Sequence, residues 1–457
     1  MMRLSEAAVA TKGQVLGEDV LFTCVTNDSR GNNSGQLFVA MRGERVDGHD
    51  FAVSAIKNGA AAAMISHAVD GLSSALLVED TRLALGDLAA YWRDKFDIPL
   101  AAVTGSNGKT TVKEMLASIL RAAAGGHDQV LATEGNLNND IGLPLTLLKL
   151  RHQHRYAVAE MGMNHFGEIS YLTRIGRPTV ALINNATTAH LGGLGSVDGI
   201  AKAKGEIFEG LRAGGVAVIN ADDEFAPLWK TLAISHPILT FGLGAGADIT
   251  ASYLLHTESS DLKLSTPLGE AMINLPVAGK HNISNALAAT ATAIAMGATL
   301  AHIVAGLEAF AGVKGRLQRK CGINGAVVID DTYNANPASM RAAIDVLAAR
   351  PGDKLLVLGD MGELGGDADA MHAEIGAYAK KAGISALYVL GELSLEMVKA
   401  FGAGALHFET PAALCQVLEK SMHETSTVLV KGSRFMRMER VVDLITENNS
   451  GGNPNAA

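Results

Sequence analysis

The chain has 457 residues, of which 48% are hydrophobic, enough for two to four domains with sizeable cores. A net charge of −9 argues against a nucleic-acid or anionic-membrane surface, and no apolar run approaches the roughly 18 residues of a membrane span. The three cysteines, Cys24, Cys321 and Cys415, are far apart with no pair at metal-ligand spacing, which points to a reducing compartment and excludes a structural zinc.

Residues 1–82 alternate short apolar runs (Leu37–Met41, Ala60–Ile65, Ala75–Val78) with polar turns that carry glycine, and predict a small α/β domain. Glu6 stands where a signal peptide would need its apolar stretch, so the cytoplasm is the expected location.

Residues 83–312 open on the most informative segment of the chain. A short apolar run, Leu100 to Val103, is followed by Thr104-Gly105-Ser106-Asn107-Gly108-Lys109-Thr110-Thr111 and then by Val112, Met115, Leu116 and Ile119 at helical spacing. Glycines at a strand-to-helix turn let backbone N–H groups close around phosphate oxygens. The helix N-terminus adds partial positive charge, the lysine reaches the terminal phosphates, and the threonine hydroxyl can ligate Mg²⁺. The glycines sit closer together than in a standard P-loop, which has glycine where this chain has Val103.

Strands are predicted at Tyr156–Ala159, Val180–Ile183 and Val216–Ile219, each ending in polar residues, where open α/β sheets bind ligands. Glu160 ends the first, and reads either as a Mg²⁺ ligand between phosphates or as a surface glutamate. His190 follows the second, and is either a solvated loop histidine or part of the site. Lys204 falls on the apolar stripe of Ile200, Ile207, Phe208 and Leu211, while Lys202 faces elsewhere. A buried lysine there would be neutral and could take up CO₂ as a carbamate, whereas a snorkelling lysine would only cover the core with its stem.

Residues 313–457 alternate strands (Val327–Ile329, Lys354–Leu358, Ala386–Leu390, Thr427–Val430) with helices such as Ala338–Ala349 and Ala368–Lys381, predicting a second parallel sheet. The tail from Glu447 lacks apolar periodicity and is expected to be disordered. The fold class is therefore α/β with three domains: a small N-terminal one, a central P-loop ATPase-like parallel-sheet domain, and a C-terminal Rossmann-like domain.

In this order the segments resemble the Mur ligase superfamily of ATP-dependent amide-bond-forming enzymes, over residues 28–440. The motifs that carry the resemblance are Asp28-Ser29-Arg30, Asp47-Gly48-His49-Asp50-Phe51, the run from Gly135 to Thr146, Asp331-Thr332-Tyr333-Asn334-Ala335-Asn336-Pro337, and Leu358 to Gly365. The compact glycine loop is usual in that family. The resemblance implies that Gly105, Ser106, Asn107, Gly108, Lys109, Thr110 and Thr111 bind ATP phosphates. It further implies that Thr110 and Glu160 hold one Mg²⁺, that His190 and a carbamylated Lys204 hold a second, and that Asn282, Arg316 and Asp331 meet adenine, phosphates and ribose.

The N-terminal domain would bind UDP through the segment of Ser29 and Arg30. Asn136, Asn138 and Asn139 would line the muramoyl-peptide path, and Asn334, Asn336, Lys431 and Arg434 would place the incoming amine and the peptide. The implied reactants are UDP-N-acetylmuramoyl-tripeptide and D-alanyl-D-alanine, the catalytic residues Lys109, Glu160, His190, Lys204 and Arg316, and the expected state a monomer. A nucleotide-driven switch is the rival class, but no Asn-Lys-x-Asp guanine-reading motif occurs; Asn220-Ala221-Asp222-Asp223 lacks the lysine.

Overall fold

The computed structural model describes residues 1–187 and 194–447. Three sheets organise the chain as three α/β units. The central sheet runs, edge to edge, Ile238–Phe241, Val216–Asn220, Val180–Ile183, Leu100–Thr104, Tyr156–Glu160 and Val130–Ala132, with every pairing parallel. Its middle strand, Leu100–Thr104, is buried throughout, as a strand flanked by parallel neighbours and covered on both faces must be.

Side chains alternate between those faces. Leu100, Ala102, Ala157, Ala159 and Ile183 pack with Leu88 and Trp92. Ala101, Val103, Val158 and Leu182 pack with Val112, Met115 and Ile119 of the helix Lys109–Ala124. The helix Thr81–Arg93, capped by Asp80 accepting from Arg82 N and Leu83 N, runs across position 82/83 and packs on helices of both the N-terminal and the central unit. At its end Arg93 is fully buried and donates to Gly176 O, Phe96 O and Ile98 O; burial pushes its pKa down to about 10.

The N-terminal sheet orders Gln14–Gly17, Ser74–Leu77, Ala62–Ile65, Gln36–Val39 and Cys24–Thr26, antiparallel only at its first pair. The C-terminal sheet orders Gln318–Cys321, Val327–Asp331, Ser426–Lys431, Asp353–Gly359, Ala386–Leu390 and Ala405–Phe408. It departs from the expected all-parallel pattern at one edge, where Gln318–Cys321 pairs antiparallel with Val327–Asp331. The connection between those two strands is too short for the crossover that a parallel return requires.

Sequence patterning also missed a three-stranded antiparallel sheet, Thr250–Leu255, Ser260–Thr266 and Gly269–Leu275. Only one of its faces is buried, through Leu262, Leu264, Ile273 and Leu275. Among the described residues no helix is long and apolar enough to cross a membrane.

Candidate functional site

The loop expected to cradle phosphate joins the strand Leu100–Thr104 to the helix Lys109–Ala124, and Gly108 sets its shape. Its φ is 79°, and a Cβ there would lie 2.3 Å from Asn285 Oδ1 and 2.5 Å from Asn184 Nδ2. A larger residue would have to displace these two side-chain amides and hold a left-handed φ that favours glycine. Asparagines hold the loop from behind. Asn107 N donates to Asn185 Oδ1 at 2.8 Å, and Asn184 Nδ2 donates to Asn107 O at 2.9 Å and to Asn285 Oδ1 at 3.1 Å. Asn220 Nδ2 in turn donates to Asn184 O at 2.9 Å. Sequence reasoning passed over these supports, although Asn184, Asn185 and Asn220 stand at or just past strand ends, where a sheet aims polar groups at a ligand.

Lys109 Nζ donates to Gly105 O at 2.7 Å. Burial pushes its pKa down; Glu160 opposes this and Arg316 adds to it. Next to it, Thr110 Oγ1 donates to Glu160 Oε2 at 2.9 Å and accepts from Arg316 Nη2 at 2.9 Å. Asn138 Nδ2 donates to the other carboxylate oxygen at 2.8 Å, and Glu160 N donates to Thr133 Oγ1 at 2.9 Å. Glu160 is 2% exposed, so it is not the surface glutamate that a strand terminus allows.

Arg316 arrives from beyond the central unit. Its guanidinium carbon lies 4.2 Å from the centre of the Tyr333 ring, a cation–π contact, and its Nε is buried with no partner among the described residues. A buried guanidinium N–H with nothing to donate to suits an anionic ligand, because an unmade charged hydrogen bond is costly. The C-terminal unit reaches the loop directly as well: Asn336 Nδ2 donates to Asn107 Oδ1 at 2.8 Å. Asp331 accepts from Leu317 N at 3.1 Å and pairs with Lys431 Nζ at 2.7 Å, and Lys431 also donates to Asn334 O at 2.8 Å.

Between the central and C-terminal units lies a cleft of about 1210 Å³. Ser106, Asn107, Gly108, Lys109, Thr111, Asn138, Glu160, Asn282, Arg316, Asp331, Asn334, Asn336, Lys431 and Arg434 line it. Gly105 and Thr110 do not line it but are hydrogen-bonded to residues that do, Gly105 to Lys109 and Thr110 to Glu160 and Arg316. Asn282 Nδ2 donates to Ala278 O at 2.8 Å and its Oδ1 accepts from Asn285 at 3.3 Å.

Other expected residues lie elsewhere. Asn136 and Asn139 are exposed beside the cleft, and Asn139 Oδ1 accepts from Gly142 N at the start of the helix Gly142–Leu147. Ser29 and Arg30 are on the N-terminal unit, where Ser29 O accepts from Asn58 Nδ2 and Arg30 forms a two-point pair with Asp28. That pair and the Arg30 backbone N–H hold the Asp28 carboxyl down at about 2.

Lys204 is 1% exposed, which rules out snorkelling. Among the described residues no carboxylate pairs with it, and burial, reinforced by the charge of Lys109, pushes its pKa well below the usual lysine value. The uncharged amine is thus favoured more than in an exposed lysine. His190 lies outside the described residues, as does the tail beyond Glu447. Among the described residues no three His, Cys, Asp or Glu side chains converge on a metal position. One carboxylate beside one hydroxyl at a phosphate cradle still fits Mg²⁺, which keeps water and phosphate oxygens as its remaining ligands.

Three family models match in turn: "Mur ligase family, catalytic domain" over residues 21–93, "Mur ligase middle domain" over 103–293, and "Mur ligase, glutamate ligase domain" over 315–434. The chain is 44% identical to UDP-N-acetylmuramoyl-tripeptide–D-alanyl-D-alanine ligase of Escherichia coli K12, covering 97% of this chain and 98% of the relative. A crystal structure of MurF from Acinetobacter baumannii superposes with a TM-score of 0.91 at 40% identity, covering 97% of this chain and 99% of that one. MurF ligase of Thermotoga maritima, solved in complex with ADP, gives 0.83 at 28% identity, covering 93% and 98%.

Proposed function

The chain belongs to the Mur ligase family, and on that premise we propose that it joins D-alanyl-D-alanine to UDP-N-acetylmuramoyl-tripeptide, with cleavage of ATP to ADP and phosphate. It is a ligase of peptidoglycan precursor synthesis, and its product is the pentapeptide form of the UDP-linked precursor. The observation that carries this reading is the hydrogen-bonded run Arg316–Thr110–Glu160–Asn138, which ties a phosphate cradle to a residue from beyond the central unit on one side and to a loop of the expected peptide path on the other.

The reaction must bring two anions together, a carboxylate and a triphosphate. The tripeptide carboxylate attacks the γ-phosphorus and ADP leaves, giving an acyl phosphate. The dipeptide amine then attacks the acyl carbon, loses a proton, and expels phosphate. Backbone N–H groups of the Gly105–Thr111 loop receive the phosphate oxygens, while Lys109 and Arg316 neutralise the charge that would otherwise keep the reactants apart. Closure of the C-terminal unit through Asn336 holds the three reactants in line and keeps water from the acyl phosphate.

In this reading Thr110 and Glu160 hold one Mg²⁺, and His190 with Lys204 hold a second, Lys204 having taken up CO₂ as a carbamate. The ions would supply charge neutralisation at the phosphates. Asn282 takes adenine, Asp331 the ribose, Ser29 and Arg30 the uridine nucleotide, and Asn136, Asn138 and Asn139 the peptide. Asn334, Asn336, Lys431 and Arg434 place the amine and the peptide. The units are assigned as residues 1–82 for the UDP-linked substrate, 83–312 for ATP and 313–457 for the acceptor, in a cytoplasmic monomer.

ADP release measured with a panel of UDP-muramoyl peptides and amines tests the assignment. Turnover is expected with the tripeptide and D-alanyl-D-alanine together. Turnover with a single amino acid and none with the dipeptide would refute it.

A further inference from the structure

Among the described residues that line the cleft, one large apolar side chain is left in solvent. Phe435 is 62% exposed, while Met163 and Phe310, which line the same cleft, are each under a tenth exposed. An isolated exposed phenylalanine on a convex surface would mean little, but this one stands in a concave substrate cleft and is held in place. A Cβ on Gly362 would lie 2.9 Å from Phe435 Cε1, so the edge of the ring rests against the backbone of the neighbouring turn. The turn that carries it is tied down from two sides. Ser433 Oγ accepts from Gly362 N at 2.8 Å, and Arg440 donates to Met436 O at 3.0 Å and to Arg437 O at 3.1 Å.

Two residues on stands Arg437, which is exposed, lines the same cleft, and pairs with no carboxylate among the described residues. Its neighbour Arg434 differs, being paired with Glu439 at 3.1 Å.

Sheet order fixes where this pair stands relative to the nucleotide. The loop after Val327–Asp331 reaches the phosphate cradle through Asn336. Phe435 and Arg437 follow the next strand, Ser426–Lys431, and Gly362 follows the one beyond it, Asp353–Gly359. The pair therefore stands on the loop one strand along the cleft from the loop that meets the phosphate cradle. A second reactant must lie beside the nucleotide in this way if its amine is to reach a carbonyl activated at the γ-phosphate. Asn138 and Met163 line the facing side of the cleft.

We propose that Phe435 and Arg437 form the acceptor-reading subsite, with the ring packed on the methyl groups of the dipeptide and the guanidinium paired with its terminal carboxylate. The inference rests on the ligase reading above. An acceptor with small apolar side chains and one free carboxylate needs one apolar wall and one cation, and these two residues supply them within one cleft. The arrangement selects the free acid of a dipeptide with small side chains and leaves its amine end free to turn toward the acyl carbon.

The test compares D-alanyl-D-alanine with its C-terminal carboxamide in the full-length enzyme. Phe435→Ala should raise KM for the dipeptide about tenfold while kcat and the KM values for ATP and the UDP-tripeptide stay within about twofold, and Phe435→Leu should recover most of the loss. The wild type should turn over the carboxamide with a KM about tenfold above the acid, and Arg437→Ala should treat acid and amide alike. Both side chains are exposed, so unchanged melting temperatures are expected to show that the variants fold. An unchanged dipeptide KM in Phe435→Ala, or a rise in the KM of the UDP-tripeptide instead, would overturn the subsite and leave the ligase assignment standing. Wild-type enzyme that releases no ADP with D-alanyl-D-alanine would overturn that assignment and the subsite with it.

Discussion

Asn336 Nδ2 donates to Asn107 Oδ1 over 2.8 Å, so the N-cap of a C-terminal helix is hydrogen-bonded to the glycine loop 229 residues earlier. The same side chain caps the helix Pro337–Ala348, its Oδ1 accepting from Ser339 N at 2.9 Å. Asn336→Ser separates the two roles, because serine caps as well as asparagine but is too short to reach Asn107. The melting temperature should hold, while kcat/KM for ATP falls by about fivefold, the equivalent of one neutral hydrogen bond of roughly 1 kcal/mol. Steady-state kinetics beside a thermal melt checks both halves; unchanged kinetics would mean that the contact does not contribute to closure.

Gly108→Ala and Lys109→Ala should damage the cradle in different ways. At Gly108 a methyl group meets Asn285 and Asn184 at a φ of 79°, so a stability loss of about 1–3 kcal/mol is expected together with loss of ATP binding. Lys109 makes its hydrogen bonds to Gly105 O and Ser106 O within its own loop, so its alanine variant should melt like wild type and lose turnover by about 100-fold or more. Calorimetry with ATP and an ADP-release assay distinguish the two. Normal turnover in Lys109→Ala would remove the lysine from the mechanism.

Lys204→Ala should abolish ligase activity and regain part of it when a short-chain carboxylic acid is added, because the added acid would occupy the space of the carbamate. This follows from a lysine 1% exposed that no carboxylate among the described residues neutralises. Full activity without the added acid would show that the residue only fills the core.

The Asp28–Arg30 pair predicts an acid dependence in the N-terminal unit. The folded carboxyl sits at about 2 against an ordinary 3.8, a depressed value. Its contribution to stability is therefore complete above pH 3.8 and is lost as pH falls through about 2. Carbon-detected NMR of the Asp28 side chain should give a midpoint near 2, and Arg30→Ala should move it up toward 3.8. A wild-type midpoint near 3.8 would mean that the pair does not persist in solution.

Much of this architecture could be read along the chain because its elements are local and strongly patterned. The strands Val180–Ile183 and Ala386–Leu390 and the helix Ala368–Lys381 fall where apolar runs and helical spacing put them. The hairpin sheet at Thr250–Leu275 was missed because its exposed face carries Leu254 and Met272, which blurs the alternation that marks a half-buried strand. The antiparallel edge at Gln318–Cys321 was missed because three polar residues and one exposed cysteine give no apolar pattern.

The chain order alone marks Gly105–Thr111 as a candidate phosphate cradle, since its glycine spacing, lysine and threonines lie within nine residues. It also put Glu160 at a strand end and Lys204 on an apolar stripe, but left a surface carboxylate and a snorkelling lysine open as alternatives. The folded chain removed both alternatives, because burial depends on what packs around a side chain. It alone brought Arg316 and Asn336 onto the loop, and Phe435 and Arg437 into one cleft beside it. Those meetings depend on which strands become neighbours and how the units close, and contacts across more than two hundred residues leave no period in the chain to be read.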